Sequence, residues 1–302
     1  MKKIVGLGEV LWDLLPTGAS LGGAPANFAY ITQLLGDQGV VASRVGCDAL
    51  GRQASERMQE LGLDVGHVQV DSEYPTGTVK VEVDVQGQAK FEIASPVAWD
   101  FLEWTPAWQR LARQADAVCI GSLGQRSERS RATIHSFLEA MSPDRVKVFD
   151  VNLRQSYYSR EILSESMKLV DIVKVNDEEL PKIMNLNGWP HQDERSSAQR
   201  LLDAFALRLV CVTRGARGSL LVEGANVDEH PGFPVTVADT VGSGDAFTAA
   251  LLHEYLNGSS LRVMNEVANR VGGWVASKSG GMPVPVGSLQ ESLAEIARRE
   301  SL

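Results

Sequence analysis

Five short runs rich in β-branched residues, KIVGLGEV, DAVCIGSL, VKVFDVN, DIVKVN and LRLVCVTRG, each end near a Gly, Asn or Asp. Segments of helical length separate them, at 26–36, 49–62, 127–141, 159–170 and 196–207. Strands that alternate with helices pair in parallel, because each crossover helix returns the chain to the same edge. A parallel sheet must be covered on both faces, which suits runs that are apolar throughout. After residue 238 the pattern turns mostly helical, at 243–257, 261–278 and 288–300. No repeat, low-complexity tract or long linker divides the chain. The expectation is therefore one α/β domain over residues 1–302 with a mainly parallel central sheet.

One segment breaks the alternation. In TGTVKVEVDVQGQAKFEI, Val79, Val81, Val83 and Val85 share one face, and Lys80, Glu82 and Asp84 the other. Gln86-Gly87 turns the chain into a second strand bearing Phe91 and Ile93. Period-two alternation around a turn predicts a β-hairpin. It is either a flap that completes the core or a lid over a pocket, and periodicity does not choose between them.

Charge excludes several functions. The 302 residues carry a net charge of −9, so nucleic acid and anionic membranes are repelled over most of the surface. Any anionic ligand must be held locally. Cys47, Cys119 and Cys211 have no metal-ligand spacing and predict buried thiols in a reducing compartment. Glu9 and Asp13 interrupt the apolar N-terminal stretch, which reads as a first strand of a cytoplasmic protein and not as a signal peptide. No run approaches the ~18 apolar residues that a membrane span needs.

Ligands of open parallel sheets bind beyond the carboxyl ends of the strands, so the polar residues there are the candidates. In ADTVGSGDAF, the N–H groups around Gly242, Ser243 and Gly244 can form a nest, and the following helix adds its positive end. Asp245 is then either a helix cap or a carboxylate facing a substrate hydroxyl beside that nest. In LGGAPANFAY, Gly22-Gly23 allows close backbone approach and Asn27 offers an amide; a plain tight turn is the alternative. Asp13 sits in an apolar strand, where it needs solvent, a partner or ligand hydroxyls. FDVNLR presents Asp150, Asn152 and Arg154 at alternate positions, and KVNDEEL presents Lys174, Asn176 and Glu179. Glu179 either caps the next helix or reaches Mg²⁺ through water, since Mg²⁺ keeps much of its water shell.

Taken in order, GGAPAN, VNDEE, VTRGARG and DTVGSGDAF resemble the ribokinase-type (PfkB) carbohydrate kinases over almost the whole chain. No GxxxxGKS or GxxxxGKT phosphate loop is present. The resemblance implies a ribokinase-like three-layer sandwich with a small β lid at about 10–16 and 74–95. It implies Asp245 as catalytic base, with Gly242, Ser243 and Gly244 as the anion hole. Asp13, Gly22, Gly23 and Asn27 match positions that bind sugar hydroxyls. Asn176 and Glu179 match the motif near Mg²⁺ and the ATP phosphates, and Thr213, Gly215, Gly218 and Asn269 match nucleotide positions. Asp239, Val241, Gly280 and Gly281 match a monovalent-cation site, usually K⁺. GEVLWDLLP, PTGTV, VAWDF and GSLGQRSE are most similar to bacterial fructokinases, with Val151 and Ser243 where those more often have Pro and Ala. Trp99 and Arg154 are then expected to shape the sugar pocket. The implied substrates are ATP and D-fructose, with 2-keto-3-deoxygluconate or another sugar as the alternative, and a non-catalytic sugar sensor as the rival class. Family members often pair through the lid, which implies a homodimer.

Overall fold

A computed structural model describes residues 1–15, 18–83, 89–190 and 192–298. The strands are β1 (Lys3–Leu7), β2 (Leu11–Leu15), β3 (Gly18–Gly22), β4 (Gln38–Gly46), β5 (Val68–Asp71), β6 (Gly77–Val83), β7 (Ala89–Ile93), β8 (Ala117–Gly121), β9 (Val146–Asp150), β10 (Ile172–Asn176), β11 (Leu209–Thr213), β12 (Ser219–Glu223) and β13 (Asn226–His230). The helices are α1 (Ala24–Leu34), α2 (Ala49–Glu60), α3 (Pro106–Gln114), α4 (Glu128–Ala140), α5 (Arg160–Lys168), α6 (Glu179–Leu186), α7 (Glu194–Phe205), α8 (Ser243–Leu256), α9 (Leu261–Ala276) and α10 (Leu289–Arg298).

The large sheet runs β13-β12-β11-β10-β9-β8-β1-β4-β5. From β11 to β5 every pairing is parallel, while β12 and β13 add antiparallel at the other edge. The pleat sends alternate residues to opposite faces. Val5, Leu7, Val118, Ile120, Val173 and Val175 join one core with Leu111, Phe137, Leu163, Ile183 and Leu201 from α3 to α7. Ile4, Ala117, Cys119, Ile172 and Cys211 join a second core with α1, α8 and α9. That is the three-layer sandwich expected. Fully burying a side chain such as Phe137 or Ile4 contributes roughly 1.5–3 kcal/mol.

α8 is buried on every side from Ala246 to Leu252, all apolar but Thr248. A helix of that kind must be enclosed, and it packs between α1 and α9. Its first turn is consequently fixed in position. Among the described residues no helix is long and apolar enough to cross a membrane.

A second sheet, β3-β2-β6-β7, stands apart from the first. The hairpin forms as expected, with Val79 opposite Ile93 and Val81 opposite Phe91. Its turn at 84–88, including Val85, Gln86 and Gly87, lies outside the described residues, as do the side chains of Val81, Val83 and Phe91. The pairing ribbon expected there is therefore not described. β3 was not anticipated: GASLG has no apolar alternation, and it is a strand because β2 pairs with it.

Candidate active site

Gly242 precedes α8 with φ 75°, and a Cβ there would lie 2.4 Å from the Gly281 Cα, so conformation and space both require glycine. No side chain caps α8. Ser243 donates its N–H to the Thr240 carbonyl at 3.3 Å, and Ser243 Oγ donates to the same oxygen at 3.0 Å. Gly244 and Asp245 lie too early in the helix for an i−4 acceptor, so their N–H groups face outward. Of the amides expected to form the nest, that of Ser243 is engaged internally.

Asp245 Oδ2 accepts from Asn27 Nδ2 at 2.8 Å, which joins α8 to α1. Burial, with the Asp150 charge adding to it, pushes the Asp245 carboxyl up to about 6, against the opposing effects of Asn27, Lys174 and Arg154. α1 reaches this point through Gly23, its N-cap residue at φ 106°, where a Cβ would meet the Glu9 carbonyl oxygen at 2.5 Å.

A buried ion pair backs the nest. Lys174 Nζ lies 3.0 Å from Asp150 Oδ1, and Thr248 Oγ1 donates to Asp150 Oδ2 at 2.8 Å. Burial alone would lower the Lys174 pKa, but Asp150 and Glu179 outweigh it and hold the ammonium charged. The pair exists because Lys174 and Asp150 are partners in the register of β9 and β10. A Cβ on Gly244 would come within 3.0 Å of the ammonium, so the charge sits against the nest.

Two cavities meet here. One, of about 510 Å³, is lined by Glu9, Asp13, Asn27, Arg154, Lys174 and Asp245, with Val79 and Ile93 of the small sheet as an apolar wall. The other, of about 280 Å³, is lined by Thr213, Gly215, Gly218, Phe233, Ser243 and Asn269. Both touch Thr240 and Gly244, so the nest is their shared boundary. Asn27 Oδ1 and Glu9 Oε2 are buried without a hydrogen-bond partner, and both residues line the first cavity. Burial raises the Asp13 carboxyl, with Arg154 opposing it.

Trp99 stands elsewhere, and several other expected residues are engaged by the protein itself. Trp99 is fully buried and lines neither cavity; its ring packs on the Arg126 guanidinium at 3.8 Å. Val97 to Asp100 are buried, and Trp99 does not line the pocket. Arg126 is likewise withdrawn, bound to Asp100 at 2.7 Å. Gly22 supports Asp13 from β3, since a Cβ there would crowd Asp13 Oδ2 at 2.8 Å. Asn176 Oδ1 holds the turn into α6, accepting from the N–H groups of Glu178 and Glu179 at 3.0 and 2.8 Å. Asn269 lines the second cavity, but its Nδ2 donates to Ser219 Oγ at 2.7 Å. Asp239 accepts from Val241 N at 3.0 Å and Gly280 N at 3.0 Å, clasping the two loops beside the nest.

Glu179 is a strut. Its Oε1 accepts from Leu153 N at 2.7 Å and its Oε2 from Asn176 N at 2.9 Å. This holds the turn after β9, where Asn152 and Gln155 have positive φ of 43° and 48°, and so places Arg154 on the cavity. Among the described residues no three His, Cys, Asp or Glu side chains gather to hold a metal. With both Glu179 oxygens taken by main-chain N–H groups, an ion beside it would be reached through water.

Glu9, Lys174, Asp150, Thr248 and Thr240 were not assigned roles at the site by their motifs. Lys174 and Asp150 had a signal, as polar residues ending consecutive apolar strands. Glu9 had only its cost, an acid inside an apolar run.

The pfkB family carbohydrate kinase model matches residues 17–286. The chain is 34% identical to a fructokinase of Klebsiella pneumoniae over 263 residues, 83% of each chain. It resembles the structure of an uncharacterised Pyrococcus horikoshii sugar kinase in complex with ATP at 28% identity and TM-score 0.81, covering 99% of this chain and 100% of that one. It also resembles Vibrio cholerae fructokinase in a fructose, ADP and calcium ion bound form at 25% identity and TM-score 0.79, covering 98% and 99%.

Proposed function

We propose, from the premise that the chain belongs to the pfkB family of carbohydrate kinases, that it phosphorylates a primary hydroxyl of a neutral sugar, D-fructose first, with ATP as donor. The observation behind this reading is that Asp245, held by Asn27, stands where the two cavities share Thr240 and Gly244. The sugar takes the cavity of Asp13, Asn27 and Asp245, and the nucleotide takes that of Thr213, Gly215, Gly218 and Asn269. The ATP complex of the Pyrococcus relative and the fructose and ADP of the Vibrio relative support a sugar and a nucleotide as the two ligands.

With Oδ2 tied to Asn27, Asp245 offers Oδ1 to the acceptor hydroxyl. The hydroxyl oxygen bonds to the γ-phosphorus, the bond to the bridging oxygen breaks, ADP leaves, and Asp245 takes the proton. Phosphoryl transfer of this kind needs mainly positioning and charge stabilisation. The N–H groups of Gly244 and Asp245 and the Lys174 ammonium supply a positive field toward the moving group. A Mg²⁺ ion, held by nucleotide oxygens and water with Glu179 reaching it only through water, would screen the phosphate charge. A K⁺ ion beside Asp239 and the 280–281 loop would steady the nest from behind. We read the small sheet as a lid of the same kinase domain, excluding water that would compete as acceptor.

Glu9, Asp13 and Asp245 outnumber Arg154 and Lys174 in the sugar cavity, and Lys174 is already paired with Asp150, which favours an uncharged acceptor over an acidic one. Arg154 is the feature that would favour 2-keto-3-deoxygluconate. Coupled ADP release with ATP and Mg²⁺ over a sugar panel decides. Fructose is expected to give the highest kcat/KM; preference for the acid would reverse the acceptor, and no sugar-dependent release would favour a sensor.

The raised Asp245 carboxyl adds a pH signature. A base must be ionised, so kcat/KM for the sugar is expected to rise from pH 5 to 7 with a midpoint near the value of about 6. A flat profile over that range would remove Asp245 from the role.

A further inference from the structure

We propose that Glu9 is a sugar-binding and specificity-determining residue, whose Oε2 pairs with an acceptor hydroxyl other than the one phosphorylated. This rests on the sugar-kinase reading above and deepens it. Glu9 is only 3% exposed, yet it lines the 510 Å³ cavity together with Asp245. Its carboxyl lies against its own N–H and that of Ala24, at the start of α1. Oε2 has no partner. Buried polar atoms are almost always paired, so an unpaired one on a residue that lines a cavity points to a partner that could arrive with the ligand.

The surroundings limit what that partner is. Gly124 follows β8 without a side chain, and a Cβ there would lie 3.3 Å from Oε2. The charged groups sharing the cavity are Asp13 from β2, Arg154 from the turn after β9, Lys174 from β10 and Asp245 from α8. Lys174 is already committed to Asp150. An anionic ligand atom at Oε2 would meet acids from Glu9, Asp13 and Asp245 together. A cation would meet Arg154. A neutral hydroxyl both donates and accepts, and it fits either form of the carboxyl. Burial, with Asp245 adding to it, pushes Glu9 up to about 7, so both forms are present near neutrality.

A site built to hydrogen-bond a hydroxyl rejects an analogue lacking it, because its own polar group is then stranded. Removing Glu9 must therefore cancel the penalty for one missing hydroxyl and no other. The test is a cycle on the full chain, crossing parent and Glu9→Ala with the preferred sugar and its monodeoxy analogues, read as kcat/KM by ADP release. In the parent, the analogue missing the paired hydroxyl is expected to lose at least tenfold, mostly in KM. In Glu9→Ala that loss should shrink to within about threefold, while penalties for the other analogues persist. Glu9→Gln, which keeps size and hydrogen-bonding capacity, should retain most of the discrimination. ATP binding by calorimetry shows whether each variant is folded.

Unchanged penalties for every analogue in a folded Glu9→Ala would overturn the role, as would parent-like KM in that variant. If Glu9→Ala does not fold, loss of the analogue penalty in folded Glu9→Asp supports the role and its persistence overturns it. A panel in which no sugar is phosphorylated by the parent fails the kinase reading instead, and is distinguishable because Glu9 is intact there. In that case the same cycle, read as calorimetric sugar affinity, decides the role by the same criterion.

Discussion

Asp245→Asn is expected to lose at least ~100-fold in kcat while retaining affinity for both substrates, because asparagine keeps the shape and discards only the proton acceptor. Asn27 can still donate to the new amide oxygen, so the junction of α1 and α8 survives. Single-turnover kinetics with calorimetric binding check this, and turnover within tenfold of the parent would dismiss the base. The same variant has a stability signature. The folded carboxyl titrates at about 6 against an ordinary 3.8, so between those values the folded chain holds more protons than the unfolded one. Stability therefore declines as pH climbs through that window, and the deficit is complete above it. At ~1.4 kcal/mol per unit the deficit is at most about 3 kcal/mol, and Asn should recover part of it at neutral pH. The advantage should vanish below about pH 4. A functional residue that costs stability is what a reactive group in a water-poor setting requires.

Lys174→Met is expected to destabilise the chain by about 3–5 kcal/mol, because it strands the Asp150 carboxylate in the interior. The two side chains are 7% and 6% exposed, so solvent cannot take over from the lost partner. Thr248 Oγ1 would remain as a donor and would soften the loss. Adding Asp150→Asn should return much of the stability, since the stranded charge is then gone. Denaturant midpoints of the parent, single and double variants test this. A single-variant loss below ~1 kcal/mol would mean that the pair is dispensable for folding. Activity should fall in both variants, as the ammonium against the nest is absent in each.

The large sheet was legible because parallel strands are apolar on both faces and stop at polar residues, as in DIVKVN. β4 and β5 were less so, since QGVVASRVG carries Arg44 and Ser43 within an otherwise apolar run. Asp245 and its glycines were legible because the chemistry needs adjacent residues there. What was not legible depends on register and on side-chain direction. Nothing in the order of residues says that Lys174 would face Asp150 across two strands, or that Trp99 would turn inward while Arg154 turned to the cavity. Glu179 shows the same limit: its motif suggested metal, while its oxygens are met by Leu153 and Asn176 main chain. Glu9 was visible as an anomaly, and only coordinates give the anomaly a location.

Asn27 and Asp245 meet although 218 residues separate them along the chain. During synthesis, then, no fragment leaving the ribosome has a working centre until α8 has emerged and closed onto α1. Prematurely terminated products lacking that helix are expected to show no sugar-dependent ADP release. Conversely, two polypeptides split between α1 and α8, each inactive alone, should regain function only by docking.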